Sequence, residues 1–247
     1  MCIREYIFSL ACALVLSSCS VKSDRTECPA LLFLSVLGGE DEKVFVNIAG
    51  EDYESLMHIE KSKGVAVAGV DLKKGRFRIS AHSGGFVKSP GIIDLGEEMP
   101  QLYAYAESVE CTSDVTEVLA HLDKQFCRLK IKVTGLECDA QLRGNVCGMD
   151  LWDLSPISGL FYVRKEALMS GQEARLFEFV VPRQKDSSLM LELIQDGRLL
   201  CSFELGKDLV AAGMDWNKSS LEDMEVCIQY CESGFMVTVK NWVQVEI

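Results

Sequence analysis

The chain has 247 residues and a net charge of −12, with 48% hydrophobic and 25% charged residues. That composition belongs to a globular protein with an ample core, not to a disordered chain. The acidity argues against nucleic acid, which is held by Lys and Arg that neutralise phosphates, and against a direct embrace of anionic lipid head groups.

The first stretch pairs a short charged head, where Glu5 offsets Arg4, with an apolar run from Ile7 to Leu16. An apolar run of about 7–15 residues reads as an export signal, since a membrane-spanning helix needs roughly 20. Leu16-Ser17-Ser18-Cys19 matches the bacterial lipobox: a bulky apolar residue, two small ones, then a cysteine whose thiol takes the lipid. The sequence therefore predicts a lipoprotein signal peptide at 1–18, lipidation (diacylglyceryl and palmitate-type acyl chains) at Cys19, and a tether over 19–29. The plainer alternative is an ordinary secretory signal with an accidental cysteine. No later segment is apolar for long enough to span, so the protein is expected on a membrane rather than through it.

From Pro29 onward the pattern is β. Leu31 to Leu37 and Lys43 to Ile48 read as the first two strands, separated by Gly38-Gly39. Glu51 to Lys61 is the one helix-like stretch of the first half. Gly75 to Ala81 alternates Phe77, Ile79 and Ala81 against polar residues, as a half-buried strand does. Leu102 to Ala106 reads as another strand, and the segment from Cys111 to Asp123 as a crossing between halves. Phe126 to Thr134 alternates Leu129, Ile131 and Val133 with Arg128, Lys130 and Lys132. Glu173 to Val181 follows, ended by Pro182. Leu189 to Gln195 and Leu199 to Glu204 flank Asp196-Gly197, the chemistry of a tight hairpin. Glu222 to Cys231 places Met224, Val226, Ile228 and Tyr230 on one face, and Ser233-Gly234 turns the chain into Phe235 to Val239 and Trp242. Two groups of short strands predict two antiparallel β-sandwiches, 30–122 and 123–247, with a single larger sandwich as the alternative.

Of eleven cysteines, Cys2, Cys12 and Cys19 belong to the signal or the anchor. If 126–134 and 141–149 formed a hairpin, Cys127 and Cys147 would fall nearly opposite, making them the one disulfide candidate. Buried free thiols serving as small hydrophobes are the competing reading. Among His58, His82 and His121 no two have metal-ligand spacing, and no Cys-x-x-Cys, His-Glu-x-x-His, Gly-x-Ser-x-Gly or phosphate loop occurs. Asp150, Asp153 and Asp186 read as solvated loop carboxylates. The expectation is a non-enzyme with no catalytic residues, no metal and no cofactor.

The residues behind the lipobox, Asp24-Arg25-Thr26-Glu27-Cys28-Pro29 and then an apolar strand, resemble the start of the fimbrial anchor lipoproteins of the Bacteroidetes (the FimB-like family). The resemblance continues in Phe126-Cys127-Arg128-Leu129-Lys130-Ile131-Lys132-Val133. It is strongest in Phe203-Glu204-Leu205-Gly206, Gly213-Met214-Asp215-Trp216, Leu221-Glu222-Asp223-Met224 and a closing strand ending at Trp242. The resemblance leads one to expect a longer chain, mostly in its first half.

The resemblance implies two transthyretin-like sandwiches and a lipid anchor in the outer membrane, on the cell surface. It also implies a non-enzymatic role as fimbrial anchor or fimbrillin-associated minor subunit in cell adhesion. Partners would be fimbrial structural subunits, joined by strand addition, in which backbone hydrogen bonds give affinity and alternate side chains fill pockets. Phe235, Val237, Val239 and Trp242 on the last strand are the candidate subunit contacts. An ordinary closing strand is the competing reading of that segment. The runner-up function is a glycan-binding surface lipoprotein, which would show aromatics placed to stack on sugar rings. Trp152, Trp216 and Trp242 are the tryptophans available.

Overall fold

The computed structural model describes residues 29–84, 86–89, 92–94, 101–167, 169–170, 174–231 and 234–241. The predicted signal, Cys19 and Trp242 lie outside the described residues. Within them the chain is all-β apart from one short helix.

The first half contributes β1 (Pro29–Gly38), β2 (Lys43–Ala49), β3 (Glu54–Glu60), β4 (Val65–Lys73), β5 (Gly75–Ser83), β6 (Phe86–Ser89), β7 (Ile92–Asp94), β8 (Tyr103–Cys111) and β9 (Val115–Lys124). Seven of them run in the order β3-β2-β5-β8-β9-β1-β4. The path folds over at β8–β9, which share only the pairs Tyr103↔Lys124 and Ala104↔Asp123. β1 is antiparallel to β4 along nearly its whole length and parallel to β9 from Leu31↔Val115 to Gly38↔Leu122. Its even-numbered residues Ala30, Leu32, Leu34 and Val36 are fully buried. They meet Val44, Val46 and Ile48 of β2 and Phe77, Ile79 and Ala81 of β5 in one core. Each buried Leu or Ile of this kind contributes about 2 kcal/mol relative to exposure. The turn out of β1 uses Gly38 and Gly39, both with positive φ. A Cβ at Gly38 would stand 2.8 Å from the Leu122 carbonyl oxygen, so glycine is required there twice over.

The second half contributes β10 (Phe126–Thr134), β11 (Asp139–Asp150), β12 (Pro156–Lys165), β13 (Met169–Ser170), β14 (Ala174–Pro182), β15 (Met190–Gln195), β16 (Arg198–Phe203), helix α1 (Leu205–Ala211), β17 (Met224–Cys231) and β18 (Gly234–Asn241). One sheet runs β13-β14-β10-β17-β18; facing it, β16, β15, β11 and β12 make the other. Leu129, Ile131, Phe177, Phe179 and Val226 from the first meet Leu142, Leu191, Leu193 and Phe161 from the second, with Leu205 and Leu209 of α1 closing one end. Asp196 and Gly197 carry positive φ in the β15–β16 hairpin, as an Asp-Gly turn requires.

A small third cluster, Leu102, Ala104, Val146, Met149 and Leu151, packs where the halves meet. Polar contacts reinforce it. Arg128 donates to Glu40 at 3.0 Å and to Gln101 at 2.7 Å, and the Tyr103 hydroxyl donates to Glu40 at 2.7 Å. The Tyr103 hydrogen bond, and then Arg128, hold the Glu40 carboxyl below the usual range despite partial desolvation. The β6–β7 hairpin crosses the junction: β7 pairs with β11 through Asp94↔Gly148, Ile93↔Met149 and Ile92↔Asp150.

Several expectations are corrected. Glu51–Lys61 holds no described helix but the edge strand β3, fixed by its register against β2. The segment read as a crossing, Cys111–Asp123, contains β9. The sandwiches are not purely antiparallel, because each half has one parallel pair, β1–β9 and β10–β17. Tyr230 shares the face of Met224, Val226 and Ile228 but stands exposed at the strand's end, beside Phe235. The 126–134/141–149 hairpin does not exist: β10 pairs with β14 and β17, while β11 pairs with β12, β15 and β7. With the two strands in different sheets the basis for a Cys127–Cys147 bond is gone, and both are free cysteines.

Candidate subunit-docking edge

β18 is the last described strand, and β17 alone pairs with it among the described residues, from Met224↔Asn241 to Cys231↔Gly234. Its outer row of N–H and C=O groups is therefore unclaimed by another described strand. Natural edges of this kind are sites for an added strand unless guarded by charge, proline or a bulge. The described part carries one guard, Lys240, which sits 3.5 Å from Glu225.

The sequence-predicted contacts Phe235, Val237 and Val239 do share one face of β18, but it is the inward one. All three pack, partly buried, against the second core. The Phe235 ring lies edge-on to Phe203 at 5.5 Å and tilted against Tyr230 at 5.1 Å. Outward stand Met236, 56% exposed, with Thr238 and Lys240. A strand added here would meet the backbone edge first, then extend the apolar floor beside Val237 on one face and pack on Met236 on the other. Sequence reasoning missed Met236; its place between two inward residues was the available signal.

By contrast β1 offers no edge, since β4 and β9 claim both of its sides. β12 is a second open edge, with β11 as its described partner and Leu160 and Tyr162 exposed along it.

The histidines and loop carboxylates are scattered. His58 faces outward on β3; His121 is exposed, 3.9 Å from Asp123. His82 is fully buried, stacked on Phe45 at 5.2 Å, with both ring nitrogens unpartnered; burial holds its pKa down to about 4. Asp150, Asp153 and Asp186 each accept a backbone N–H two residues on, from Trp152, Ser155 and Ser188, and so build turns. No group of three His, Cys, Asp or Glu among the described residues could hold a metal. Burial pushes the Cys127 thiol up to about 12, the opposite of a reactive thiolate.

A cleft of about 450 Å³ is lined by Asp123, Gln125, Asp153, Arg183, Trp216 and Ser219 among others. Arg183 is buried and its donors are committed: Nε to the Gln125 side chain at 2.9 Å, Nη1 to the Trp216 carbonyl, Nη2 to the Ser219 carbonyl at 2.9 Å. It ties Gln125 to the backbone of Trp216 and Ser219 and has little left for a ligand. Nor does the cleft offer a stacking platform, because Trp216 is only 6% exposed. Trp152, half-buried, lies beneath the Arg78 guanidinium at 4.9 Å. No helix among the described residues is long and apolar enough to cross a membrane.

No family model and no curated protein matches the chain. Solved structures do. The fimbrial anchor protein Mfa2 from Porphyromonas gingivalis superimposes with a TM-score of 0.64 at 12% identity, over 87% of this chain and 98% of its own. A candidate adhesin from Bacteroides thetaiotaomicron gives 0.63 at 11% identity, over 86% of this chain and 96% of its own. A candidate polysaccharide-binding protein from the same organism gives 0.62 at 12% identity, over 88% and 99%. Over 86–88% of its length the chain has the fold of these Bacteroidetes proteins, and none of the three is named as an enzyme.

Proposed function

We propose that this chain is a non-enzymatic fimbrial anchor or minor fimbrial subunit, tethered to the outer membrane at the cell surface by a lipid on Cys19. The observation that carries the proposal is the likeness in fold to a fimbrial anchor protein, 87% of this chain on 98% of the other. Two features support it. The lipobox precedes β1 by a short tether, and β1 is locked between β4 and β9. Losing β1 would open two ladders and free the body from its lipid, so the anchor keeps its own first strand. Fimbrial subunits then join at another edge, and β18 with Phe235, Val237 and Val239 beneath it and Trp242 beyond is the proposed place. The glycan-binding reading draws no support from the described tryptophans, one buried and one stacked under an arginine.

Cross-linking on intact cells followed by pull-down of the lipidated protein tests the proposal. A ladder of fimbrial subunits in the pull-down is expected. Recovery of a transporter complex or bound polysaccharide, with no fimbrial subunit, would overturn it.

A further inference from the structure

Thirteen large apolar side chains stand exposed among the described residues, and five of them, Leu31, Phe33, Val67, Val115 and Leu119, lie on a single surface. That concentration is a matter of register. In the three-stranded unit β4–β1–β9, Leu31 sits beside Asp71 and Val115, Phe33 beside Gly69 and Glu117, Ser35 beside Val67 and Leu119, and Leu37 beside Val65 and His121. These odd-numbered residues all point away from the core. Gly69 leaves room for Leu31 to spread across β4. Of the polar groups facing the same way, Asp71 and Lys73 stand at one end and His121 at the other, while Glu117 stands beside Phe33, between Val115 and Leu119.

The second half shows that the fold does not demand such a surface. There β10 is likewise held between an antiparallel neighbour, β14, and a parallel one, β17. Its outward row is Arg128, Lys130, Lys132 and Thr134, flanked by Glu178 and Glu225. The same strand arrangement is thus stable with charge outside. An apolar sheet face that the architecture does not require marks a contact.

We infer that this face of β4–β1–β9 lies on the lipid surface to which the chain is tethered; the inference rests on the lipid-anchor reading of Cys19. The tether ends at the first residue of β1, the central strand of the face. From Cys19 to Pro29 an extended chain reaches at most about 35 Å, while the face from Leu31 to Leu37 is about 20 Å long. The anchor can therefore hold the whole face flat against the bilayer without strain. Charge favours the same orientation. A body of net charge −12 is repelled by anionic head groups, and this face has fewer charges to desolvate than the outward row of β10 with Arg128, Lys130, Lys132, Glu178 and Glu225. Leu31, Phe33, Val67, Val115 and Leu119 would enter the boundary between head groups and acyl chains as an interfacial apolar surface does.

The full-length lipidated protein in phosphatidylcholine vesicles provides the test, with a tryptophan introduced by Leu119→Trp and, as control, by Leu199→Trp in the exposed part of β16. The emission each adds over wild type is compared in ordinary lipid and in lipid brominated along its acyl chains. The Leu119→Trp emission should fall about twofold or more in brominated lipid, because an interfacial residue sits within reach of the bromines, while the Leu199→Trp emission is unchanged. Flotation of the protein with vesicles but no quenching at either position overturns the proposal and leaves the anchor reading standing. Equal quenching at both positions also overturns it. So does an unquenched but iodide-protected Leu119→Trp in a protein that cross-links as a dimer, since a second copy would then cover the face. Failure of wild type to float with vesicles defeats the anchor reading, and this inference with it.

Discussion

The two halves solve one problem with opposite exteriors. In each, a central strand is flanked by an antiparallel neighbour on one side and a parallel one on the other: β1 between β4 and β9, β10 between β14 and β17. Their inward rows are interchangeable in kind, Leu32, Leu34 and Val36 against Leu129, Ile131 and Val133, all fully buried. Their outward rows are not, Leu31, Phe33 and Leu37 against Arg128, Lys130 and Lys132. The inner face of a sheet answers to the fold, and the outer face is free to answer to surroundings. A charged exterior on the second half and an apolar one on the half next to the proposed tether fit the proposal of a body held against a membrane at one side.

Truncating the inward rows probes the part of the comparison that should be symmetrical. Leu34→Ala in β1 and Ile131→Ala in β10 should each cost about 2–5 kcal/mol, the range for a buried aliphatic residue whose cavity collapses only partly. Chemical denaturation measures both; a loss confined to one half would show that the two sheets are not structural equivalents.

An asymmetry buried in the first half should appear in the pH dependence of stability. His82 is neutral when folded, its pKa held near 4 by burial, whereas an unfolded histidine takes a proton near 6.5. The unfolded chain therefore binds the extra proton in that window, and this contribution is present above about pH 6.5 and lost as pH falls towards 4. The loss is about 3 kcal/mol by linkage. Denaturation midpoints at pH 7 and pH 4.5 should differ less in His82→Leu than in wild type. An unchanged difference would mean that the imidazole is solvated.

The smallest effect is expected where the halves differ most visibly. Val67→Lys with Leu119→Glu, either side of Ser35, gives the first half an exterior like that of the second. Stability should move by no more than about 0.5 kcal/mol, as for other exposed positions, while contact with lipid is lost. A large destabilisation would mean that the apolar exterior belongs to the fold after all.

The same two-sided apolarity decided what could be read from the sequence. β10 was legible because Leu129, Ile131 and Val133 alternate cleanly with basic residues, and the β15–β16 hairpin because Asp196-Gly197 announces its turn. β9 was not, since Val115 and Leu119 face outward while Val118 and Leu122 face inward, and no period survives that overlap. β3 was mistaken for a helix because Leu56 and Met57 are adjacent apolar residues on an edge strand, where pairing with β2 overrides local pattern. The short helix α1, at seven residues, gives too few turns to show a stripe. Of the proposed docking edge, β18 and its apolar row were legible in the sequence; that the row faces the core could come only from the packing of Phe235 against Phe203.

The most direct test of the anchoring role is to replace Cys19→Ala in the chromosome and measure fimbrial subunits on washed cells and in the culture medium. Transfer of assembled fimbriae to the medium, with this protein bound to them, is the predicted result. Fimbriae that remain on the cells while the unlipidated protein is secreted alone would contradict it.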